Sequence, residues 1–177
     1  MAVTLPDDVA SMADWTWDDL KPIFDDLLNR DLTADNVDAW LTDVSIVSDT
    51  VSELMTRASL EHNKNTADEV AEAHYKRLMA EINPPVSKAS TQIAEKLVGS
   101  GLKPDNFEIA LKRMEADIAL FRDENLPLKV QENELGMEYS KIAGAQTVEW
   151  EGEEMTLVSF NKVLQDQDRD VREKAWR

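Results

Sequence analysis

Residues 37–62 read VDAWLTDVSIVSDTVSELMTRASLEH, and this stretch settles the fold class. Val37, Trp40, Leu41, Val44, Val47, Val51, Leu54, Met55 and Ala58 recur at the helical period, with no sustained two-residue alternation. One apolar stripe held over that length predicts a long helix, starting at Thr33 or Asp35 and ending near residue 62. Such a stripe has to be covered by other helices.

On the N-terminal side, residues 1–14 form no periodic pattern and read as a loosely packed lead-in. Thr16 is the expected N-cap of a helix to about Asn29: Asp18 and Asp19 suit the positive end of its dipole, and Leu20, Ile23, Phe24, Leu27 and Leu28 supply its apolar face. On the C-terminal side, Asn63-Lys-Asn65 interrupts the pattern. Thr66 with Glu69 then reads as a capping box for the next helix. Leu78, Ile82, Val86, Ala89, Ile93 and Leu97 stay in phase across Pro84-Pro85, so a helix kinked or interrupted at the prolines is expected, closed by Gly99-Ser-Gly101. Pro104 and Asp105 open a fourth helix with Phe107, Ala110, Leu111, Met114, Ile118 and Phe121 inward. A break at Asn125-Leu-Pro127 precedes a fifth, to about Ala143.

From Gln146 to Leu157 the period changes. Val148 and Trp150 alternate with Thr147 and Glu149, and Met155 and Leu157 alternate with Thr156 beyond Glu151-Gly152. A two-residue turn there pairs Val148 with Met155 across a hairpin. Two short helices follow, near 157–164 and from Asp168 onward. Long helices joined by short turns make an up-and-down antiparallel bundle, so the expected fold is mainly all-α, one helical domain over 1–177, with a small β-hairpin near residues 146–157.

Composition narrows the function. A chain of 177 residues with 42% hydrophobic and 31% charged content can build a core. No apolar run is long enough for a membrane helix, the N-terminus has no signal-peptide pattern, and there is no cysteine for disulfide or thiolate chemistry. Acidic residues outnumber basic ones, 36 to 19, for a formal charge of −17. Such a chain is repelled by nucleic acid and by anionic membranes. The early aspartates, Asp7 to Asp49, lack calcium-loop spacing and read as solvated helix faces and caps. A cytoplasmic location is expected.

No residue is assigned as catalytic, cofactor-binding or metal-binding. The two histidines, His62 and His74, do not form H-E-x-x-H, and the glutamates of a di-iron bundle are missing, with Ser59 and Ala71 in their places. Both read as packing or surface residues; a two-histidine metal site would need them to converge from different helices. Trp40 belongs to the core stripe, whereas Trp15, Trp17 and Trp150 are partly exposed by pattern and are the candidates for lining a peptide groove. Trp176 stands on a last helix without a stop signal, where Asp168 serves as cap and Asp170, Arg172, Glu173 and Lys174 take the exposed side.

The motifs of residues 105–177 carry a resemblance. Leu120-Phe-Arg122 through Leu126-Pro-Leu128, Glu138-Tyr-Ser-Lys-Ile142, Thr147-Val-Glu-Trp150, and Asp168-Arg169 with Val171-Arg-Glu-Lys-Ala175 resemble the segment ahead of the catalytic domain in oligoendopeptidase F-like zinc metallopeptidases, relatives of thimet oligopeptidase. The resemblance implies an N-terminal helical region that walls or gates a channel for short peptides. It places the zinc, the H-E-x-x-H helix and the attacking zinc-bound water in a catalytic domain outside these residues. By that reading the ending reflects truncation, proteolysis or a shortened gene, with an apolar patch around Trp176 and Val171 open to self-association, and the chain alone is inactive. The competing expectation is a free-standing acidic helical adaptor that binds a partner helix.

Overall fold

The computed structural model describes residues 5–6 and 8–177, and these divide between Glu132 and Asn133 into two compact units. The fold is mainly helical with one two-stranded antiparallel hairpin, as the patterns predict.

In the first unit, α1 spans Trp17–Asn29 and α2 spans Val37–Lys64. Thr16 opens α1 as expected: its N–H and its hydroxyl both donate to the Asp19 carboxylate at 2.8 Å. Those two bonds, the backbone one foremost, hold the Asp19 carboxyl below its usual range. The α2 stripe becomes the heart of the core, with Val37, Trp40, Val47, Val51, Leu54 and Ala58 all buried.

The end of α1 is capped from a distance. Helix C-termini leave carbonyls without partners, and no glycine follows Asn29. Leu27 O instead accepts the Trp40 indole N–H at 2.9 Å, and Leu28 O accepts Lys96 Nζ at 2.6 Å. Arg30, the next residue, bonds both Asp26 on α1 and Asp43 on α2. Asp43 is therefore buried, against the expectation that the early aspartates lie on solvated faces. A guanidinium between two carboxylates makes that burial tolerable.

Two local expectations are corrected. The cap of α3 (Glu69–Arg77) is Asp68, not Thr66: its carboxylate accepts the N–H groups of both Val70 and Ala71, whereas a hydroxyl at 66 offers less. The interruption before α4 (Asn83–Ser100) is a π-helical turn at Leu78–Ile82 rather than a kink at the prolines. Pro84 and Pro85 have no N–H to return to the preceding turn, and a widened turn accommodates the missing bonds. They then occupy the first turn of α4, where proline is tolerated, and Leu78, Ile82, Ala89, Ile93 and Leu97 remain buried in phase. Gly101 closes α4 in the left-handed region at φ 70°.

The lead-in is packed, not loose, where it is described. Asp8 caps a 3₁₀ turn at Val9–Met12 that buries both of those side chains. Arg77 then donates to the Trp15 carbonyl at 2.9 Å and to that of Ala13 at 2.5 Å. Residues 1–4 and Asp7, part of the expected lead-in and acidic run, lie outside the described residues.

The helix α5 (Glu108–Leu120) starts later than Pro104, because Pro104 to Phe107 forms a turn with Asn106 at φ 61°. Its expected inward residues face the bundle but are only half-buried. The last helix of the first unit, α6 (Asn125–Gly144), continues into the second. It begins at Asn125, so Pro127 falls in its first turn instead of in a break before it.

In the second unit, β1 (Thr147–Trp150) pairs with β2 (Glu153–Thr156) in the expected register, Val148 opposite Met155. Both turn residues have positive φ, Glu151 at 53° and Gly152 at 87°, as a type I′ turn requires. Glutamate is strained there. Its carboxylate meets Lys174 at 3.2 Å, and that ammonium lies 4.8 Å from the centre of the Trp150 ring. The helices α7 (Leu157–Leu164) and α8 (Arg169–Trp176) follow, capped by Thr156 and Asp168. Arg172 is half-buried rather than exposed, donating to the carbonyls of Asp166 and Gln167.

Candidate functional site

The first unit contains a cleft of about 660 Å³ walled by α1, α2, α4, α5 and the first turns of α6. It exists because the inward face of α5 is only partly closed onto its neighbours. Met114, Ile118 and Phe121 form one side, and Val44, Val47, Val51 and Val86 form the other. Ser48, Ser87, Ser90 and Thr91 add hydroxyl groups; Thr91 Oγ1 donates to the Ser87 carbonyl at 3.0 Å. Asp117 and Lys129 are the charged residues of the lining.

This lining suits binding more than bond-making. Mixed apolar and hydroxyl walls accept an apolar side chain and offer hydrogen bonds to the polar chain carrying it. Among the residues lining the cleft there is no histidine to serve as a base for a serine hydroxyl. No motif in the sequence marks the cleft. Its only advance sign was the apolar face of 107–121, which is correct in direction but less buried than a core helix.

The two histidines have separate partners. His62 is buried at 1% exposure, its ring stacked on Tyr75 at a centroid distance of 5.7 Å. Neither of its ring nitrogens has a hydrogen-bond partner. His74 lies on α3, with Nε2 donating to the Ala13 carbonyl at 3.0 Å. Among the described residues no group of three or more His, Asp or Glu side chains is placed to hold a metal ion. As packed, these residues do not fit a zinc site.

An unpartnered buried imidazole costs stability, because each ring nitrogen gives up water without replacement. His62→Leu, similar in volume and without polar atoms, is expected to raise unfolding stability by about 1 kcal/mol. Urea denaturation followed by circular dichroism measures this. A loss of similar size would mean that the imidazole is hydrogen-bonded in solution.

The tryptophans separate as the patterns predict for the core, less so for a groove. Trp40 is 2% exposed. Trp17 tilts against Phe24 at 5.5 Å and Trp150 stands edge-on to Phe160 at 5.4 Å, so both are half-buried packing residues. Trp15 is half-buried and packs against the core, with its carbonyl taken by Arg77. None of these three lines the cleft. Trp176 is exposed and Val171 half-buried. No helix among the described residues is long and apolar enough to cross a membrane. No family model matches the chain, and neither the curated proteins nor the solved structures contain a match to it.

Proposed function

We propose that this chain is the N-terminal, non-catalytic helical part of an oligoendopeptidase F-like zinc metallopeptidase, cytoplasmic, forming part of the wall or gate of a channel for short peptides. The observation that carries the reading is the succession from α6 through the hairpin to α8. The family-like motifs fall on distinct elements of that succession: Glu138 to Ile142 on α6, Thr147 to Trp150 as β1, and Asp168 with Arg169 at the start of α8. The apolar, hydroxyl-edged cleft adds support, since a channel wall has to accept varied peptide side chains. In this reading zinc and the residues that activate its bound water belong to a catalytic domain that these residues do not include.

Reading the coding sequence past the codon for Arg177 tests the proposal. An open frame that reaches H-E-x-x-H is the expected result, and a stop codon at that point would remove the peptidase role. The purified 177-residue chain is expected to leave fluorogenic peptides uncleaved with or without added zinc.

A second reading, an acidic helical adaptor, is favoured by a different observation: the second unit exposes more large apolar side chains than it buries.

A further inference from the structure

The second unit is inverted in its use of apolar residues. Of its 45 residues, Met137 and Phe160 are the buried hydrophobic ones, whereas Leu135, Tyr139, Ile142, Leu157, Val158 and Trp176 are all exposed. Isolated exposed hydrophobics are ordinary, but a contiguous row on one helix face is not. Such a row occurs on α6.

Leu135, Tyr139 and Ile142 are 66%, 73% and 66% exposed and follow one another at spacings of four and three residues. At about 100° per residue they lie within roughly 60° of one another, a single ridge two turns long. Met137, 4% exposed, lies on the opposite side of the same helix. So α6 carries an apolar face inward and a second one outward, and within residues 133–177 the outward face is left exposed.

The borders of the ridge define what fits it. Glu134 and Glu138, both exposed, run along one edge. Gly136 and Ala143 run along the other, and a Cβ placed on Gly136 would meet nothing within 4 Å. One edge therefore admits a close backbone approach, and the other presents two carboxylates. No lysine or arginine lies on this outward side of 133–144; Lys141 projects toward the inner half of the helix.

We infer that the outward face of α6 docks an amphipathic helix of a partner polypeptide, one with a leucine-type ridge bordered by lysine or arginine. Interdigitation of i, i+4 and i, i+7 residues supplies the apolar contact, as in other helix–helix recognition. Basic side chains on the partner meet Glu134 and Glu138 and fix its orientation. A second copy of this chain fits poorly: antiparallel, it sets Glu134 and Glu138 against their own like charges, and parallel, it sets them against Gly136 and Ala143, with no basic side chain to meet them. The inference stands on the second unit alone and does not depend on the peptidase reading.

The test uses the full chain and three synthetic 21-residue helical peptides: a leucine ridge bordered by lysine, the same ridge bordered by glutamate, and the lysine peptide with alanine replacing leucine. Calorimetric titration is expected to show the lysine-bordered leucine peptide binding at least tenfold tighter than either control. A Leu135→Gln/Ile142→Gln variant, whose altered side chains are exposed and whose helical circular dichroism is expected to be unchanged, should weaken that binding at least tenfold. Equal binding of the lysine peptides with and without leucine would reduce the effect to bulk charge on a −17 chain and overturn the inference. So would binding indifferent to the double substitution, or no binding. Concentration-dependent dimerisation lost in the variant, without peptide binding, would assign the face to a second copy and equally overturn it.

Discussion

Trp40→Ala is expected to cost the protein about 4–5 kcal/mol of unfolding stability, the largest effect of any single truncation in the bundle. Two losses combine. Removing a buried indole from a packed core costs about 3–5 kcal/mol, depending on how far the cavity collapses. Trp40 is 2% exposed within the α2 stripe, among Leu20, Phe24, Leu27 and Val47 in one continuous core, so little collapse is available. The substitution also takes away the N–H that satisfies Leu27 O at the end of α1. A buried carbonyl left without a donor costs about 1–3 kcal/mol, partly recovered where water reaches it. Because a domain of this size is stable by roughly 5–15 kcal/mol in total, the variant should be marginal at 25 °C.

Trp40→Phe separates the two contributions. It keeps most of the buried ring and removes the donor, so a cost of about 1–2 kcal/mol is expected. Denaturant midpoints for the two variants supply the measurement. If Trp40→Ala fell within 1 kcal/mol of the wild type, the indole would not be the link between α1 and α2 that its position implies.

The same residue shows how far the sequence could be read. Its place in the stripe was visible from periodicity, because an amphipathic helix reports its own buried face. The hydrogen bond to Leu27 was not, since nothing local records that α1 ends without a glycine and borrows its caps from α2 and α4. The hairpin was legible for the opposite reason: its turn, register and alternation all lie within eleven residues, and Val148 opposite Met155 follows from a two-residue turn. Local signals failed where a competing local group was stronger, as at Asp68 against Thr66. They also failed where backbone chemistry acted a turn away, as with the widened turn ahead of Pro84. The 3₁₀ turn at Val9–Met12 buries only Val9 and Met12 and has no period to detect, and the carbonyls just after it, those of Ala13 and Trp15, are held by Arg77, more than sixty positions later. The two faces of α6 hid each other. Apolar residues on opposite sides cancel as a pattern, so the helix is legible but neither of its faces is. The cleft is a property of incomplete closure between α5 and its neighbours, which no single segment encodes.

Arg30→Ala is the second large effect, about 2–3 kcal/mol, and its reason is electrostatic. Asp43 sits at 8% exposure with the Arg30 guanidinium bonded to it, and the same guanidinium bonds Asp26. Breaking a fully buried ion pair costs about 3–5 kcal/mol, because a charge is left behind in a poor solvent. The Arg30 side chain is 20% exposed, which lets water reach the site and lowers the figure. Asp26→Ala, on the half-exposed side of the network, should cost no more than about 0.5 kcal/mol. Replacing both buried partners, Arg30→Met with Asp43→Leu, should recover most of the loss and identify the uncompensated charge as its cause. Acid titration gives an independent check. The Arg30 hydrogen bond holds the Asp26 carboxyl below its ordinary 3.8. A group depressed in the folded state stabilises the fold above its unfolded value, and that stability is lost as the pH falls below about 3.8 toward the folded one. Arg30 is shifted in the opposite sense, upward from the ordinary guanidinium range by its bonds to Asp26 and Asp43, so its own titration lies beyond any working pH. The wild type should therefore lose stability below pH 4 more steeply than Arg30→Ala, and parallel acid limbs for the two proteins would show that the pairing does not persist in solution.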